Sequence, residues 1–582
     1  MSLRGNLKSH RQRLLITSVL FFIAAFIIVM RFFDLQIKHG ETYKAKAQMM
    51  QQVSKKLEPE RGLIYFQDKN NQKIPVVINK KFYNVIAIPK EIENATSTAE
   101  ILLPYLHLPT QELLLKLNKS NDPYEPLAKK IDEAEAEKIK SLNLKGIYLE
   151  AVNYRYYPFK NSACQVIGFI SEDKDQKLVG HYGLENYYND ILAGQGGHYS
   201  GWRDAAGRLI RSIFGYQEEL TRGGASLVTT IDKNIQFKIE EELEFLVTSR
   251  KAESGTIIVM EPKTGRILGL ANWPAFDLNK YNEVKDISVF RNSAVEDRFE
   301  LGSVLKPITM AIGIENNKFT PETTYIDKGV VRVSGHDIKN YRNEVYGQAT
   351  MTKVLEMSIN TGAVYAQSLI GNELFRNYMK KFGFDRKTGV DLPNEVPGDL
   401  KNIEDLSASQ INFSTAAFGQ GISLNPLSLV RAYAIIANKG KSVTPYVVEK
   451  IIDDSGNIIE PNKYEPEQII SEKTAETVTN MLIKVVENGY GKNAAIKGYT
   501  IAGKTGTAQI ILPNQKGYSE EDNIQTFMGF FPAADPKFVI LVKLDKPRIG
   551  AAASNTVTYT FRDIAFYLIN YYNLPPDNPT AF

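Results

Sequence analysis

The sequence predicts an α+β domain, in which helices flank an antiparallel sheet, preceded by one transmembrane helix. Two patterns predict the domain: a helix pattern followed directly by two adjacent strand patterns, and further helix patterns after residue 303 that give way to a β-rich end. One long apolar run near the amino terminus predicts the membrane helix.

The apolar run has the flanks of a signal anchor. Residues 1–13 contain Arg4, Lys8, Arg11 and Arg13 and no acidic residue, and residues 14–30 contain no charge. A helix crosses a bilayer with about 20 apolar residues, and positive charge stays on the cytoplasmic side. We therefore expect a cytoplasmic tail at 1–13 and an anchor at 14–37 in the cytoplasmic (inner) membrane, with the remaining chain outside. A cleaved signal peptide is the alternative, but Val29-Met30-Arg31 is too bulky for a cleavage site.

Composition excludes several other classes of protein. The chain has 582 residues, enough for more than one domain, and its formal net charge of +4 is too small to indicate nucleic acid as a partner. The single cysteine, Cys164, excludes an intrachain disulfide, and the six histidines have no metal-ligand spacing. We expect no metal site and no cofactor.

A mixed, Lys- and Glu-rich segment separates the anchor from the predicted sheet domain. Within it, Ser97-Thr98-Ala99-Glu100 has the pattern of a capping box and predicts the start of a helix. We place the domain boundary near Gly223-Gly224, which gives domains at 38–225 and 226–575. In the second domain, Asp232 ends a strand pattern and caps a helix at 234–247, and a hairpin follows with strands at 255–260 and 266–271.

The candidate chemistry begins with Ser303 and Lys306, which are one helical turn apart. A serine hydroxyl is a weak nucleophile, and a neighbouring amine kept neutral by burial can serve as its base. Gly302 before the pair and an apolar run after it predict a tight turn that enters a buried helix. A second copy of this spacing, Ser171 with Lys174, lies in a run of charges and is interpreted as a polar turn.

Two further motifs follow in the chain. Ser358-Ile359-Asn360 comes after a helix pattern, and Lys504-Thr505-Gly506 lies between two strand patterns. The order S-x-x-K, S-x-N, K-T-G is the signature set of penicillin-interacting serine acyltransferases. The chain therefore resembles a class B penicillin-binding protein, a membrane-anchored D,D-transpeptidase that cross-links peptidoglycan.

Other matches to these motifs are interpreted as structural. K-T-G also occurs at Lys263, in the hairpin turn, and at Lys387, in a loop pattern. S-x-N also occurs at Ser423, which comes too late in the order of motifs, and at Ser455, which lies in a turn by composition. Residues 498–505 match a P-loop, but their neighbours favour strands, and a phosphate cradle requires a helix after the loop.

The resemblance implies a role for each motif residue. Ser303 would form an acyl-enzyme with the penultimate D-alanine of a stem peptide, with Lys306 as its base. Ser358 would pass the proton to the leaving nitrogen, and Asn360 would orient Lys306 and hold the substrate amide. Lys504, Thr505 and Thr507 would bind the terminal carboxylate, Gly506 would leave room for the substrate strand, and the N–H groups of Ser303 and Thr507 would form the oxyanion hole.

The resemblance extends to the segment at 38–225, which would be an elongated pedestal of the dimerisation type. Arg61, Arg155 and Glu185 stand in its motifs, and we expect them to form structural ion pairs where the pedestal meets the catalytic domain. Three positions depart from the family pattern: Leu301 replaces a proline, Asn71 a glycine and Gln165 a histidine.

The resemblance also implies partners and leaves alternatives open. Expected partners are D-Ala-D-Ala stem peptides, β-lactams and a polytopic glycan-polymerising glycosyltransferase, in septal or lateral wall synthesis, with the short pedestal favouring division. The alternatives are a D,D-carboxypeptidase or β-lactam-hydrolysing enzyme, which would need a base for deacylating water, and a catalytically weak β-lactam-binding scaffold.

Overall fold

The computed structural model describes residues 4–41, 52–57, 59–106, 108–119, 122–175, 177–203, 209–210, 217–219, 221–405, 407–461, 465–511, 517–550 and 552–578. The chain divides into two compact units, one of Met1–Glu60 with Gly194–Gly223 and the other of Arg61–Ala193 with Gly224–Phe582.

The first unit contains the amino-terminal helix and a small sheet. The α-helix Arg4–Phe33 continues as one π-helical turn, Asp34–Lys38. The stretch Arg13–Lys38 is long and apolar enough to cross a membrane, and it contains the predicted anchor. The strand Gly197–Arg203 pairs antiparallel with Gln52–Leu57, Leu209–Ile210 and Gln217–Glu219.

The second unit contains a seven-stranded and a five-stranded sheet. In the former, Ser226–Asp232 runs parallel to Ile64–Gln67, and the remaining pairs are antiparallel. The two predicted domains therefore share this sheet, and the boundary at 225/226 stays a prediction. Its other strands are Ile74–Ala87, Glu125–Ile131, Ile147–Tyr156, Val448–Ile452 and Ile458–Ile459.

The five-stranded sheet is antiparallel throughout, as predicted for the α+β domain. Its order is Ile267–Trp273, Ser254–Met260, Phe538–Asp545, Tyr518–Phe531, Ala502–Ile511. Successive side chains of a strand point to opposite faces. Accordingly, Ile257 and Val259 belong to one hydrophobic core and Ile258 and Met260 to another, so both faces are covered.

Helices cover the two faces. Lys233–Arg250 and Val557–Tyr572 pack on one side, where Asp232 caps the former by accepting hydrogen bonds from the N–H groups of Asn234 and Ile235. Pro426–Ala437 and Glu472–Asn488 contact strands from the other side. All residues of Pro426–Ala437 are buried, because this helix lies between the sheet and other helices.

The remaining elements are shorter. The other α-helices are Ala95–Leu106, Thr110–Leu117, Glu133–Ser141, Cys164–Ile167, Gly183–Tyr187, Asn189–Ala193, Ser293–Glu296, Lys306–Glu315, Met351–Glu356, Asn360–Ile370, Asn372–Lys381, Lys401–Glu404 and Gln410–Ala416. The 3-10 helices are Pro89–Glu91, Leu278–Glu283, Ile287–Phe290, Gly302–Leu305, Tyr341–Asn343, Lys492–Ala494 and Ala553–Asn555. The remaining strands form two-stranded pairs, which are Phe299–Glu300 with Ser423–Leu424, Thr324–Asp327 with Gly347–Thr350, Val330–Val333 with His336–Lys339, and Phe169–Glu172 with Leu178–His181.

The expected ion pairs are present, and they join residues of the segment 38–225 to one another. Glu185, which is fully buried, contacts Arg61 Nη2 at 2.7 Å and Arg155 Nε at 2.7 Å. Arg155 Nη1 also donates to Gly62 O at 2.7 Å. Asn71 adopts a φ of 61°, a left-handed conformation that asparagine tolerates and that explains why it can replace glycine. Gln165 donates to the carbonyls of Pro274 and Val289.

Candidate active site

The candidate nucleophile lies in a tight turn at the edge of the buried core. Ser303 belongs to the 3-10 turn Gly302–Leu305, and the α-helix begins at Lys306. Gly302 has a φ of 58°, which favours glycine, and its N–H donates to Gly419 O at 3.0 Å. Leu301, where the family has proline, is buried with a φ of −72°, so leucine adopts the conformation that proline would impose.

Two neighbouring segments fix this turn. The hydroxyl of Tyr433, on the buried helix Pro426–Ala437, donates to Val304 O at 2.8 Å. The strand Ala502–Ile511 approaches so closely that a Cβ on Gly506 would lie 2.9 Å from Val304 Cγ1. Glycine at 506 therefore allows the K-T-G strand to lie directly against the turn that carries Ser303.

Lys306 is fully buried, and its ammonium group is directed to the S-x-N motif. Its Nζ donates to Ser358 O at 2.5 Å and to Asn360 Oδ1 at 2.8 Å, and lies 3.2 Å from Ser358 Oγ. The i, i+3 spacing predicted that Lys306 reaches the Ser303 hydroxyl, but no hydrogen bond joins these two side chains. The reason is local: Ser303 lies in the 3-10 turn before the α-helix, and three oxygen atoms of residues 358 and 360 surround the amine.

Ser358 connects the two lysines. It lies between the helices Met351–Glu356 and Asn360–Ile370 with a φ of 54°, a conformation that costs a non-glycine residue about 1–3 kcal/mol. Its Oγ accepts a hydrogen bond from Lys504 Nζ at 3.0 Å. The strained backbone thus places one hydroxyl within hydrogen-bonding distance of both amines.

Burial changes the charge state of both lysines. Desolvation lowers the pKa of Lys504 from 10.5 to about 7. Desolvation, and secondarily the positive charge of Lys504, lower the pKa of Lys306 well below its usual value. Two fully buried amines that share one serine cannot both carry a full charge at low cost. At neutral pH the site can therefore supply one neutral amine.

A cleft of about 450 Å³ opens in front of these groups. Of the predicted residues, Ser303, Ser358, Asn360, Thr505 and Thr507 line it. Lys306 and Lys504 lie behind it, reached through Ser358, and Gly506 contacts the Ser303 turn from the strand. The structure therefore brings all three motifs to one cleft.

Several lining residues carry no sequence motif. Lys339 ends the hairpin strand His336–Lys339, Asn340 and Tyr341 follow it, and Tyr490 follows a helix. Gln420 also lines the cleft. These residues lie in segments without a catalytic motif, and only their position in three dimensions identifies them as cleft residues.

The motif matches that were rejected from the sequence have the local structures expected of them. Lys263 lies in the turn of the hairpin 254–273, and Lys387 lies in a loop. Residues 502–505 belong to a strand and are followed by more strand, so no helix is available for a phosphate cradle. Across the described ranges, no cluster of three or more His, Cys, Asp or Glu side chains is placed to hold a metal ion.

Comparison with known proteins agrees with this arrangement. Residues 255–565 match the penicillin binding protein transpeptidase domain, and residues 56–228 match the penicillin-binding protein dimerisation domain. The chain is 33% identical over 546 residues to stage V sporulation protein D of Bacillus subtilis, covering 92% of this chain and 82% of that protein. It is 30% identical over 594 residues to a peptidoglycan D,D-transpeptidase FtsI homolog of Mesostigma viride, covering 98% of this chain and 97% of that one.

Solved structures show the same fold. Penicillin binding protein 3 of Mycobacterium tuberculosis, crystallised with aztreonam, superposes with a TM-score of 0.69 at 25% identity, covering 91% of this chain and 99% of that one. The α+β fold and the class of enzyme expected from the sequence, a serine transpeptidase of peptidoglycan synthesis, are confirmed. With three motifs in one cleft and matches across almost its full length, the chain belongs to the penicillin-binding protein transpeptidases.

Proposed function

We propose that Ser303 is the nucleophile with which this enzyme cross-links D-Ala-D-Ala stem peptides. The observation that supports this assignment best is the buried contact of Lys306 with Ser358 and Asn360, completed by Lys504 on the same Ser358 hydroxyl. Ser303 Oγ attacks the carbonyl of the penultimate D-alanine, an ester bond forms, and the amide bond to the terminal D-alanine breaks. The amine of a second stem peptide then attacks the ester, which forms the cross-link and restores the serine.

Proton transfer follows from the contacts of Lys306. A neutral amine has two N–H groups, which point to the carbonyl oxygens of Ser358 and Asn360, and one lone pair. The hydroxyl proton of Ser303 moves to Lys306, and Ser358 returns a proton to the nitrogen of the departing D-alanine. Catalytic hydrogen bonds often shorten only in the substrate complex, so the missing Ser303 contact is compatible with this role. General base catalysis contributes typically about 10²–10⁴-fold.

The K-T-G strand supplies recognition. The cation of Lys504 and the hydroxyl groups of Thr505 and Thr507 bind the terminal carboxylate of the donor peptide. The N–H groups of Ser303 and Thr507 bind the oxyanion, a contribution of about 3–4 kcal/mol where it has been removed by mutation. β-Lactams mimic D-alanyl-D-alanine and acylate Ser303 by the same route.

The amino-terminal helix would anchor the enzyme beside its substrate. The basic residues before it and its uninterrupted apolar run support a single-pass anchor with the amino terminus inside and the domains at 38–225 and 226–575 outside the cytoplasmic membrane. A polytopic glycan-polymerising glycosyltransferase is the proposed partner, because cross-linking needs newly made glycan strands. The relatives named for sporulation and as an FtsI homolog support a role in septal wall synthesis, with lateral synthesis as the alternative.

Covalent labelling tests the nucleophile. The full-length protein should form a covalent band with a fluorescent penicillin, and Ser303→Ala should abolish the band. Ser171→Ala, at the second S-x-x-K sequence, is the matched control and should label like the wild type. Absence of a band from folded wild-type protein would contradict the assignment and favour a scaffold.

A second assay separates transfer from hydrolysis. The protein is incubated with a stem pentapeptide with and without a D-amino acid acceptor, and the products are separated by mass. Exchange of the terminal D-alanine for the acceptor supports transpeptidation. Release of D-alanine at the same rate in both reactions, without exchange, would instead identify a D,D-carboxypeptidase.

A further inference from the structure

Asp327 is a buried carboxylate close to the S-x-N motif. It ends the strand Thr324–Asp327 and is 2% exposed. Its Oδ1 accepts hydrogen bonds from Thr361 Oγ1 at 2.6 Å and Gly329 N at 3.0 Å, and its Oδ2 accepts one from Tyr346 N at 2.8 Å. Asn340 Nδ2 lies within 3.0 Å of both oxygens. These donors replace the water that burial removes.

No described cation forms an ion pair with this carboxylate. Desolvation alone would raise its pKa, but the hydrogen bonds from Thr361 and from the backbone N–H groups outweigh it, so the pKa lies below the usual value. A buried charge that is held only by neutral donors organises every group that donates to it. Two of the residues that donate to Asp327, Thr361 and Asn340, belong to segments that meet at the cleft.

The first of these segments carries Asn360. Thr361 follows Asn360 in the first turn of the helix Asn360–Ile370, and its N–H donates to Asn340 Oδ1 at 3.1 Å. Asn360 Nδ2 in turn donates to Lys339 O at 3.0 Å, which fixes its amide so that Oδ1 faces Lys306 Nζ at 2.8 Å. The side-chain amide of Asn360 is therefore held by a hydrogen-bond partner at both its oxygen and its nitrogen.

The second segment is part of the cleft wall. Lys339 and Asn340 line the cavity in front of Ser303, and Asn340 has both ends of its amide occupied, by Asp327 and Thr361. Loss of the Asp327 charge would release Asn340 and Thr361 together. Lys339 O and Asn360 would then lose their fixed separation.

We propose that Asp327 is a positioning residue for acyl transfer, which acts through Asn340 and Thr361 to hold Asn360 against Lys306 and to fix the Lys339–Asn340 wall of the cleft. The inference rests on the proposed role of Ser303 and Lys306. Asp327 itself touches neither the cleft nor a reacting atom.

The test is a double-mutant cycle in the full-length protein with fluorescent penicillin. Asp327→Asn keeps the shape but places an amide N–H group against N–H donors, and we expect the acylation rate constant to fall about 10–100-fold, as for a misplacement of up to 1 Å. Combined with Asn360→Ala, the same change should cost less than about 3-fold more, because its effect passes through Asn360. Binding measured before acylation should change less than the acylation step.

Two further variants keep the test decisive. Thr361→Val removes only the hydroxyl donor and should reduce acylation about 3–10-fold, even if Asp327→Asn unfolds. Asp391→Asn is the matched control, since Asp391 also accepts two backbone N–H groups, from Val447 and Val448, but none of the residues that donate to it lines the cleft. It should acylate like the wild type.

The outcomes are separable. Wild-type acylation by Asp327→Asn and Thr361→Val, or an equal fold loss in the Asn360→Ala background, would overturn the positioning role and leave the proposed function intact. No acylation of the wild-type protein would overturn both.

Discussion

Replacing Gly506 with alanine would press the K-T-G strand against the turn that carries Ser303. A Cβ at this position would lie 2.9 Å from Val304 Cγ1 and 3.2 Å from Leu301 O. Carbon atoms attract optimally at about 3.5–4.0 Å, so the strand and the turn must separate by roughly 0.5 Å or more. Overpacking of this kind costs about 1–3 kcal/mol of unfolding free energy.

The displacement should affect catalysis more than stability. Catalytic groups must be held within about 0.5 Å of the productive geometry, and an error of about 1 Å can cost about 10²-fold in rate. We therefore expect Gly506→Ala to reduce the second-order rate constant of acylation by a fluorescent penicillin about 10–100-fold. The free energy of unfolding in urea, measured on the same samples, gives the fraction of protein that is folded.

Gly503→Ala is the matched control on the same strand. Its Cβ would lie 2.6 Å from Phe527 Cζ, and Phe527 belongs to the core on the other face of the sheet from Val304. We expect a comparable loss of stability with acylation within about 3-fold of wild type. Equal losses of acylation in the two variants, or wild-type acylation by Gly506→Ala, would refute the reasoning.

Three further predictions concern the buried charges. The acylation rate should rise with pH as Lys306 loses its proton, and it should fall above about pH 7 as Lys504, whose pKa is about 7, loses the charge proposed to bind the carboxylate. The Lys504→Arg variant should lack the fall at alkaline pH. A wild-type acylation rate that stays constant up to pH 9 would contradict this prediction. Between pH 7 and 10.5 the unfolded chain binds more protons at Lys504 than the folded chain does, so burial of this lysine lowers the free energy of unfolding by about 4 kcal/mol at pH 7, before its hydrogen bonds offset part of the loss. The Lys504→Met variant should therefore raise the free energy of unfolding by about 1–3 kcal/mol at pH 7. This gain should shrink as the pH approaches 10.5. Glu185→Gln should lower the free energy of unfolding by about 3–5 kcal/mol, since Arg61 and Arg155 lose their buried partner. An unchanged midpoint of urea unfolding would rule out a stabilising role for these three residues.

The sequence predicted those elements whose signals are local. The junction at Asp232, for example, combines a strand pattern with a capping residue, and the structure has the strand Ser226–Asp232 followed by the helix Lys233–Arg250. The capping box at 97–100 predicted a helix that is present, but it placed the start of this helix too late. It begins at Ala95, because Asn94 Oδ1 already accepts the N–H of Ser97, so Ser97 and Thr98 lie inside the first turns.

The candidate site was predictable in its members but not in its contacts. Motif order identified Ser303, Ser358 and Lys504 because each stands beside a turn or strand signal. The i, i+3 spacing gave the wrong direction for Lys306, because the α-helix starts at Lys306 itself, three residues after the serine, and the acceptors of its amine come from residues 358 and 360. Only the resemblance implied that Asn360 orients this lysine. Asp327 lies in a segment without any motif, and only the hydrogen bonds that it accepts from Thr361 and Asn340 show that it is connected to the candidate site.

These contacts explain why the site needs a large core around it. The buried amines of Lys306 and Lys504 and the left-handed backbone of Ser358 all destabilise the folded state, and the hydrogen bonds among these residues offset only part of that cost. The offset must come from the sheet, whose two covered faces bury side chains worth about 1.5–3 kcal/mol each. Because the strand of Lys504 lies in that sheet while Lys306 begins a helix packed in the same core, the two amines cannot move apart to relieve their repulsion. The depressed pKa values are therefore imposed by packing, and it is packing, rather than any single hydrogen bond, that keeps a neutral amine available for the base role proposed for Lys306.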